Sequence, residues 1–313
     1  MVRTSLPLPE AMIKRARDFT GPPAPVRAAA TVVLLRPQGH TFQAYVLRRA
    51  STMAFGGVYA FPGGGVDDTD RPELVNQDWP ARLGLAGSSA VAGSSAVAGA
   101  SAVPGASAVA GGSAVTSASA VAGASASASA GAGAVVGAVV GASAVVGAAA
   151  RELFEEAGVL LAGRKDEPDH TVGDVSGPEW EADRAAVAAR QLTMTDLLAR
   201  HGLRLRDDLL FPWARWITPE FEPKRYDTWF FVALLPAAQS ARDVSGEADR
   251  TAWVDPAAAE ELLMLPPTRS MLDDLSAYDK IEDVVTASRS RNAAAAVMPR
   301  VEQTDAGVLL VID

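Results

Sequence analysis

The chain contains no cysteine. Disulfides, thiol nucleophiles and cysteine-based zinc or iron–sulfur sites are therefore excluded, and a reducing interior suits it. Histidine is nearly as scarce: His40, His170 and His201 are the only three, and no two have a metal-ligand spacing. Basic residues are outnumbered, 28 Lys and Arg against 37 Asp and Glu, for a net charge of -9. That balance leaves no broad basic surface for nucleic acid. The first 28 residues mix charges with prolines and lack the apolar core of a secretory signal, so a cytoplasmic location is expected. No G-x-S-x-G elbow occurs, and Gly158 to Lys165 lacks the G-K-[ST] ending of a phosphate-binding loop.

Charge and aromatics vanish together between about Ala86 and Gly147, where Ser-Ala-Val recurs at Ser89, Ser95, Ser101, Ser107, Ser113 and Ser119. Three readings of this six-residue period compete: a hexapeptide β-helix, a membrane segment, and a low-complexity insertion. Valine alone makes a thin core for a coil, and the Ala, Gly and Ser of residues 134–150 are too weakly apolar for a span. The insertion reading is preferred, because such a composition buries too little apolar surface to offset its ordering entropy. The expected organisation is one domain over residues 1–313, interrupted by an insertion at 86–147 whose last turn or two joins the following helix.

Elsewhere the periodicity is legible. A short helix is expected from Pro9 to Phe19, with strands at 28–35, 42–47 and 58–61. A helix or helix pair follows from Glu179 to His201, then strands at 209–217, 228–235 and 251–254. Helices are expected from Asp255 or Pro256 through Leu263 and from Pro266 to about Tyr278, and a strand from Gly307 to Ile312.

The most informative stretch is Arg151-Glu152-Leu153-Phe154-Glu155-Glu156-Ala157-Gly158-Val159. As a helix it places Glu152, Glu155 and Glu156 at i, i+3 and i+4, on one face, with Leu153 and Ala157 turned toward a core. Gly158 stands where a left-handed cap would end the helix. Three like charges on one face repel, a cost that a hard divalent cation would offset; a solvated acidic face is the plainer alternative. Upstream, Phe61-Pro62-Gly63-Gly64 forms a turn whose glycines let the backbone approach a ligand closely.

Read together, the two stretches resemble the box of the Nudix hydrolases, G-x5-E-x7-R-E-U-x-E-E-x-G-U, where U is aliphatic. Arg151 through Val159 match every defined position; Gly64 is the leading glycine, and Asp70 stands where the family has Glu. About 80 residues separate Asp70 from Arg151 instead of seven, so the box is split. The split, a partial signature around Arg48, Arg49, Ala50, Ser51 and Gly57, and the stretches Thr218 to Phe231 and Pro266 to Leu272 resemble the coenzyme A diphosphatase branch of the peroxisomal type. Met53 departs from that signature, which has a second Arg there.

The resemblance implies an α/β fold, the Nudix α/β/α sandwich with a mixed sheet between helices and extra C-terminal helices. It implies Mg2+ or Mn2+ held by Glu152, Glu155 and Glu156, with Arg151 fixing a carboxylate. Glu247, or alternatively Glu152, is the candidate base. Gly63, Gly64, Arg48, Arg49, Lys224 and Arg225 are the candidate substrate contacts, the four basic ones for phosphates, though surface charge is an equally plain reading of those. The implied reaction is hydrolysis of a pyrophosphate in coenzyme A or acyl-coenzyme A, giving 3',5'-ADP and a 4'-phosphopantetheine product. NADH, ADP-ribose or nucleoside triphosphates are the alternative substrates, and a non-catalytic nucleotide-binding or regulatory module is the alternative class. The expected partner is a small molecule, coenzyme A-like or another nucleoside diphosphate derivative, with a homodimer allowed and neither nucleic acid nor membrane involved.

Overall fold

A computed structural model of the chain describes residues 4–7, 10–51, 56–85, 141–167, 169–244, 246, 248–304 and 307–312. Residues 1–88 and 137–313 group into one compact unit, and 89–136 into another that lies outside the described residues. The hexapeptide repeat and Glu247 therefore both lie outside the described residues.

In chain order, β1 (Thr4–Pro7) and α1 (Glu10–Asp18) precede two long strands, β2 (Val26–Gln38) and β3 (Thr41–Arg49). Gly39, at φ 63, makes the turn between them. Short strands β4 (Tyr59–Ala60) and β5 (Gly63–Gly65) carry the glycine-rich turn, and α2 (Trp79–Arg82) follows. The chain resumes with α3 (Ala142–Ala157), β6 (Ala162–Arg164), α4 (Pro178–Ala188), α5 (Met194–Arg200) and β7 (Leu203–Leu205). Strands β8 (Leu210–Ile217), β9 (Arg225–Leu234) and β10 (Ala248–Val254) complete the main sheet's long members. Last come α6 (Pro266–Leu275), α7 (Ile281–Ser288), β11 (Ala296–Val297), β12 (Arg300–Thr304) and β13 (Gly307–Ile312).

The main sheet has the order β10-β3-β2-β9-β8-β11, with β4 on β3 and β5 on β2. It is mixed: β2 runs parallel to β9 and antiparallel to β3 and β5. β2 is the central strand, and its residues alternate between two cores. Ala30, Val32 and Leu34 pack with α3 residues Leu153 and Ala149, while Val33 and Leu35 pack with Leu272, Leu275 and Val284 of α6 and α7. A sheet buried on both faces by helices is the α/β/α sandwich the sequence implied. Among the described residues no helix is long and apolar enough to cross a membrane.

Three expectations are resolved, one of them as a correction. The box helix begins at Ala142, so the end of the low-complexity tract, residues 142–147, forms its first turns. Ala144, Val145 and Val146 are buried there, which gives this part of the low-complexity tract the tertiary packing that a short helix needs. The expected helix from Pro256 through Leu263 is only a 3-10 turn, Pro256–Ala258. Leu263 accepts a hydrogen bond from the Tyr59 amide (2.8 Å), and Met264 bridges Tyr59, so the chain there is drawn into pairing with β4. Of the helix or helix pair expected over 179–201, the structure has the pair, α4 and α5, with Thr193 capping the second by accepting from the Asp196 amide at 3.0 Å.

Candidate active site

Helix α3 starts after Gly141 and stops at Gly158, whose φ of 63 is the left-handed cap expected from sequence. Between them nearly every side chain is buried, including Arg151, Glu152, Glu155 and Glu156. The acidic face is thus turned into the protein, and the solvated-face alternative is set aside.

What it meets is the glycine turn. The Gly63 amide donates to Glu156 Oε2 at 3.0 Å. A Cβ on Gly64 would lie 2.4 Å from Glu152 Oε1, and one on Gly63 would lie 2.4 Å from Thr31 Oγ1 and 2.7 Å from the Ala30 carbonyl oxygen. Both positions need glycine for close approach. β5, paired to β2 at Ala29–Thr31, carries this turn to the helix.

Arg151 joins the two halves of the split box. Its Nε donates to Asp70 Oδ1 and Oδ2 at 2.8 and 3.0 Å, and its Nη2 to the Gly65 carbonyl at 2.7 Å. Its Nη1 pairs with Glu152 Oε1 at 2.8 Å and Glu155 Oε1 at 2.9 Å. Asp70 is 1% exposed; its carboxylate also accepts from the Asp67 amide at 3.0 Å. The shorter side chain that replaces the family's Glu still reaches the arginine. Further contacts close the seam: Ser143 Oγ donates to the Pro72 carbonyl at 2.7 Å. A Cβ on Gly147 would lie 2.8 Å from the Asp70 carbonyl oxygen. The 80 residues between Asp70 and Arg151 therefore return to a spacing set by direct contact.

The charge balance is unusual. Burial, reinforced by Glu155 and opposed by Arg151, pushes Glu152 up to about 7. Burial also raises Asp70 despite its bonds to Arg151. For Arg151 burial acts downward, but Glu152, Asp70 and Glu155 together outweigh it and raise the guanidinium further.

Among the described residues no three His, Asp or Glu side chains converge on one point in metal-binding geometry. The carboxylates are turned instead onto guanidinium and amide donors. The donor set nonetheless fits a hard divalent cation. Three oxygen-bearing side chains share one buried face, and burial first, with Glu155 beside it, disfavours the charged form of Glu152, a penalty a cation would relieve.

The candidate substrate contacts fare unevenly. Gly63 and Gly64 line the carboxylates as described. Arg48 is engaged by Asp249, Nε to Oδ1 at 2.6 Å and Nη2 to Oδ2 at 2.9 Å, on the exposed pairing of β3 with β10. Arg49 lies at the end of β3, half-buried. Arg225 is 4% exposed and spends its donors on the carbonyls of Thr218 (3.0 Å) and Ala24 (3.2 Å). These bonds anchor the strand, and Arg225 also lines the cavity that Lys224 borders. Lys224 lines a cavity of about 240 Å3 with Arg27 and Tyr226 at the start of β2 and β9.

Two arginines escaped the sequence reading. Arg184 of α4 donates to the Glu155 carbonyl at 2.9 Å, and Arg190, just past α4, hydrogen-bonds Glu155 Oε1. The cap signal Thr193-x-x-Asp196 marks the helix break that places Arg190 in a turn, and no local signal aims its side chain.

Similarity to known proteins agrees with this geometry. A crystal structure of a NUDIX hydrolase from Alicyclobacillus acidocaldarius matches with a TM-score of 0.54 at 22% identity, covering 83% of this chain and 96% of that one. This likeness concerns the fold. Two further matches have low TM-scores and carry no argument. The NUDIX domain of Shewanella oneidensis NrtR complexed with ADP ribose scores 0.35 at 10% identity, over 85% and 96% of the two chains. A C. elegans Ap4A hydrolase binary complex scores 0.34 at 12% identity, over 80% and 96%. No curated protein sequence matches the chain. The model of the NUDT19 Nudix domain matches residues 22–266, well over half the sequence, so the chain belongs to that family and is a Nudix hydrolase.

Proposed function

We propose that the protein hydrolyses a pyrophosphate bond in a nucleoside diphosphate linked to a second moiety, with coenzyme A or acyl-coenzyme A as substrate. The observation that carries the catalytic part is the closed seam in which Arg151 binds Asp70 and Gly65 while Glu152 and Glu156 face Gly64 and Gly63. Glu152, Glu155 and Glu156 would hold Mg2+ or Mn2+. Such a cation, when bound, neutralises pyrophosphate oxygens and acidifies a water. Arg151 fixes the carboxylates, and the dry floor formed by Leu153 and Phe154 keeps the helix in place. In the hydrolysis, the water oxygen bonds to phosphorus, the bridging P–O bond breaks, and a carboxylate takes the water's proton; Glu247, or alternatively Glu152, which lies against Gly64, is the candidate for this.

The coenzyme A part is supported by the resemblance of the split box and its flanking stretches. The basic cavity of Arg27 and Lys224 gives an additional anionic group a place to lie. The test is incubation with Mg2+ and a panel of coenzyme A, NADH, ADP-ribose and nucleoside triphosphates, with products identified by mass. 3',5'-ADP and 4'-phosphopantetheine from coenzyme A are expected. Cleavage of NADH but not coenzyme A removes the substrate assignment, and no cleavage at all removes the pyrophosphate reading.

A further inference from the structure

Glu155 is gripped by two guanidinium groups of different character. Arg151 is 3% exposed at its side chain, and each of its three guanidinium nitrogens is engaged, with Asp70, Gly65, Glu152 and Glu155 as partners. Arg190 is 47% exposed. Beyond Glu155 its contacts among the described residues are a long bond to the Val187 carbonyl (3.4 Å) and a loose pairing with Asp67 Oδ2 (3.9 Å). Both guanidiniums use the same oxygen, Oε1 of Glu155. A carboxylate oxygen has two lone pairs, so Oε1 is saturated while both remain.

Arg190 is also held in an uncomfortable backbone. At φ 58 it is, among the described residues, the one non-glycine residue in the left-handed region. That conformation disfavours an L-residue with a long side chain and persists where surroundings impose it. Here the turn between α4 and α5, closed by the Arg190 amide on the Val187 carbonyl (2.9 Å), points the guanidinium at α3.

We propose that Arg190 is a removable counter-charge: it competes with the divalent cation for Glu155 and, once displaced, remains beside the site to bind the substrate's phosphate oxygens. The inference rests on the reading that the box carboxylates hold a cation. Of the two arginines only Arg190 can leave cheaply, because its exposed head group exchanges Glu155 for water, whereas Arg151 would abandon a buried network. A planar, always-charged fork freed at the rim of the site suits phosphate oxygens.

The experiment is a calorimetric Mn2+ titration of the metal-stripped full chain without substrate. Arg190→Gly removes the guanidinium and accepts a positive φ without strain; Arg190→Gln serves as the second variant should the glycine form fold poorly. Either variant is expected to bind Mn2+ about five- to tenfold more tightly than the unsubstituted protein, while Arg190→Lys retains most of the competition. In turnover, KM for the pyrophosphate substrate rises more than kcat falls. Unchanged or weaker Mn2+ binding in the Gly and Gln forms overturns the proposal alone. No Mn2+ binding to the unsubstituted chain overturns the cation reading and the proposal with it.

Discussion

Two buried acidic places in this molecule solve the same problem in opposite ways. Asp207 is fully buried, and its carboxylate accepts from the amides of Val75 and Asn76, from Asn76 Nδ2 and from Trp79 Nε1, at 2.8 to 3.1 Å. Neutral N–H donors surround it, and it staples the segment before α2 onto the start of β8. The box face instead crowds Asp70, Glu152, Glu155 and Glu156 around a single buried guanidinium, Arg151. There the carboxylates outnumber their fixed counter-charge, and burial, reinforced by Glu155, drives Glu152 up to about 7. A buried acid supplied with dipoles fixes a chain; on the proposed reading, a buried acid left in excess of counter-charge would make a place for a cation.

The contrast can be broken from either side. The largest effect belongs to the box: Glu155→Gln should lower turnover roughly a thousandfold, the several kcal/mol a weakened cation site costs. Its melting temperature should move little, because the amide still accepts from Arg151; retained turnover would show that Glu155 is no ligand. Asp207→Ala should do the reverse. Stranding four N–H donors costs about 3 kcal/mol, on the order of a 10 °C drop for a chain this size, with turnover at lower temperature near normal. A collapse of activity without loss of stability would place Asp207 in the chemistry and dissolve the comparison.

A third effect is read from pH. Glu152 is raised in the folded state, so the fold binds its proton more tightly than the unfolded chain does. Its contribution to stability is full below about 4.5 and is lost as pH rises through about 7. In chelator-treated protein this amounts to about 3 kcal/mol across that window. Urea unfolding of the unsubstituted chain and Glu152→Gln at pH 5 and pH 8 measures it; the slope should flatten in the variant. An equal slope in both would mean that Glu152 is not the strained group.

Much of this site was legible because the chemistry was local. Glu152, Glu155 and Glu156 follow from helical spacing, Gly158 from its cap role, and Gly63 and Gly64 from their turn. Asp70 was identifiable only through its offset from Gly64, and the structure gives it the Arg151 partner that spacing alone could not. Long-range placement was the illegible part. Nothing in the run from Glu179 to His201 aims Arg184 and Arg190 at Glu155, and Arg225 reads as a free cation until its neighbours Thr218 and Ala24 are in place. The stretch Pro256 to Leu263 reads as a helix from sequence for the same reason: pairing of Leu263 and Met264 with Tyr59 overrides an Ala-rich propensity and leaves a turn at Pro256–Ala258.

The smallest expected effect bears most directly on the central claim, that the two halves of the box are closed by their own contacts. Those contacts run from Asp70 and Gly65 to Arg151 and from Pro72 to Ser143. Replacing residues 86–140 with a short Gly-Ser linker should therefore leave kcat/KM for pyrophosphate hydrolysis within about twofold. The shorter loop would add at most roughly 2 kcal/mol of stability through reduced closure entropy. A shortened chain that folds, melts as high as the full one and yet no longer hydrolyses would contradict the account, and would move part of the active site into the repeat.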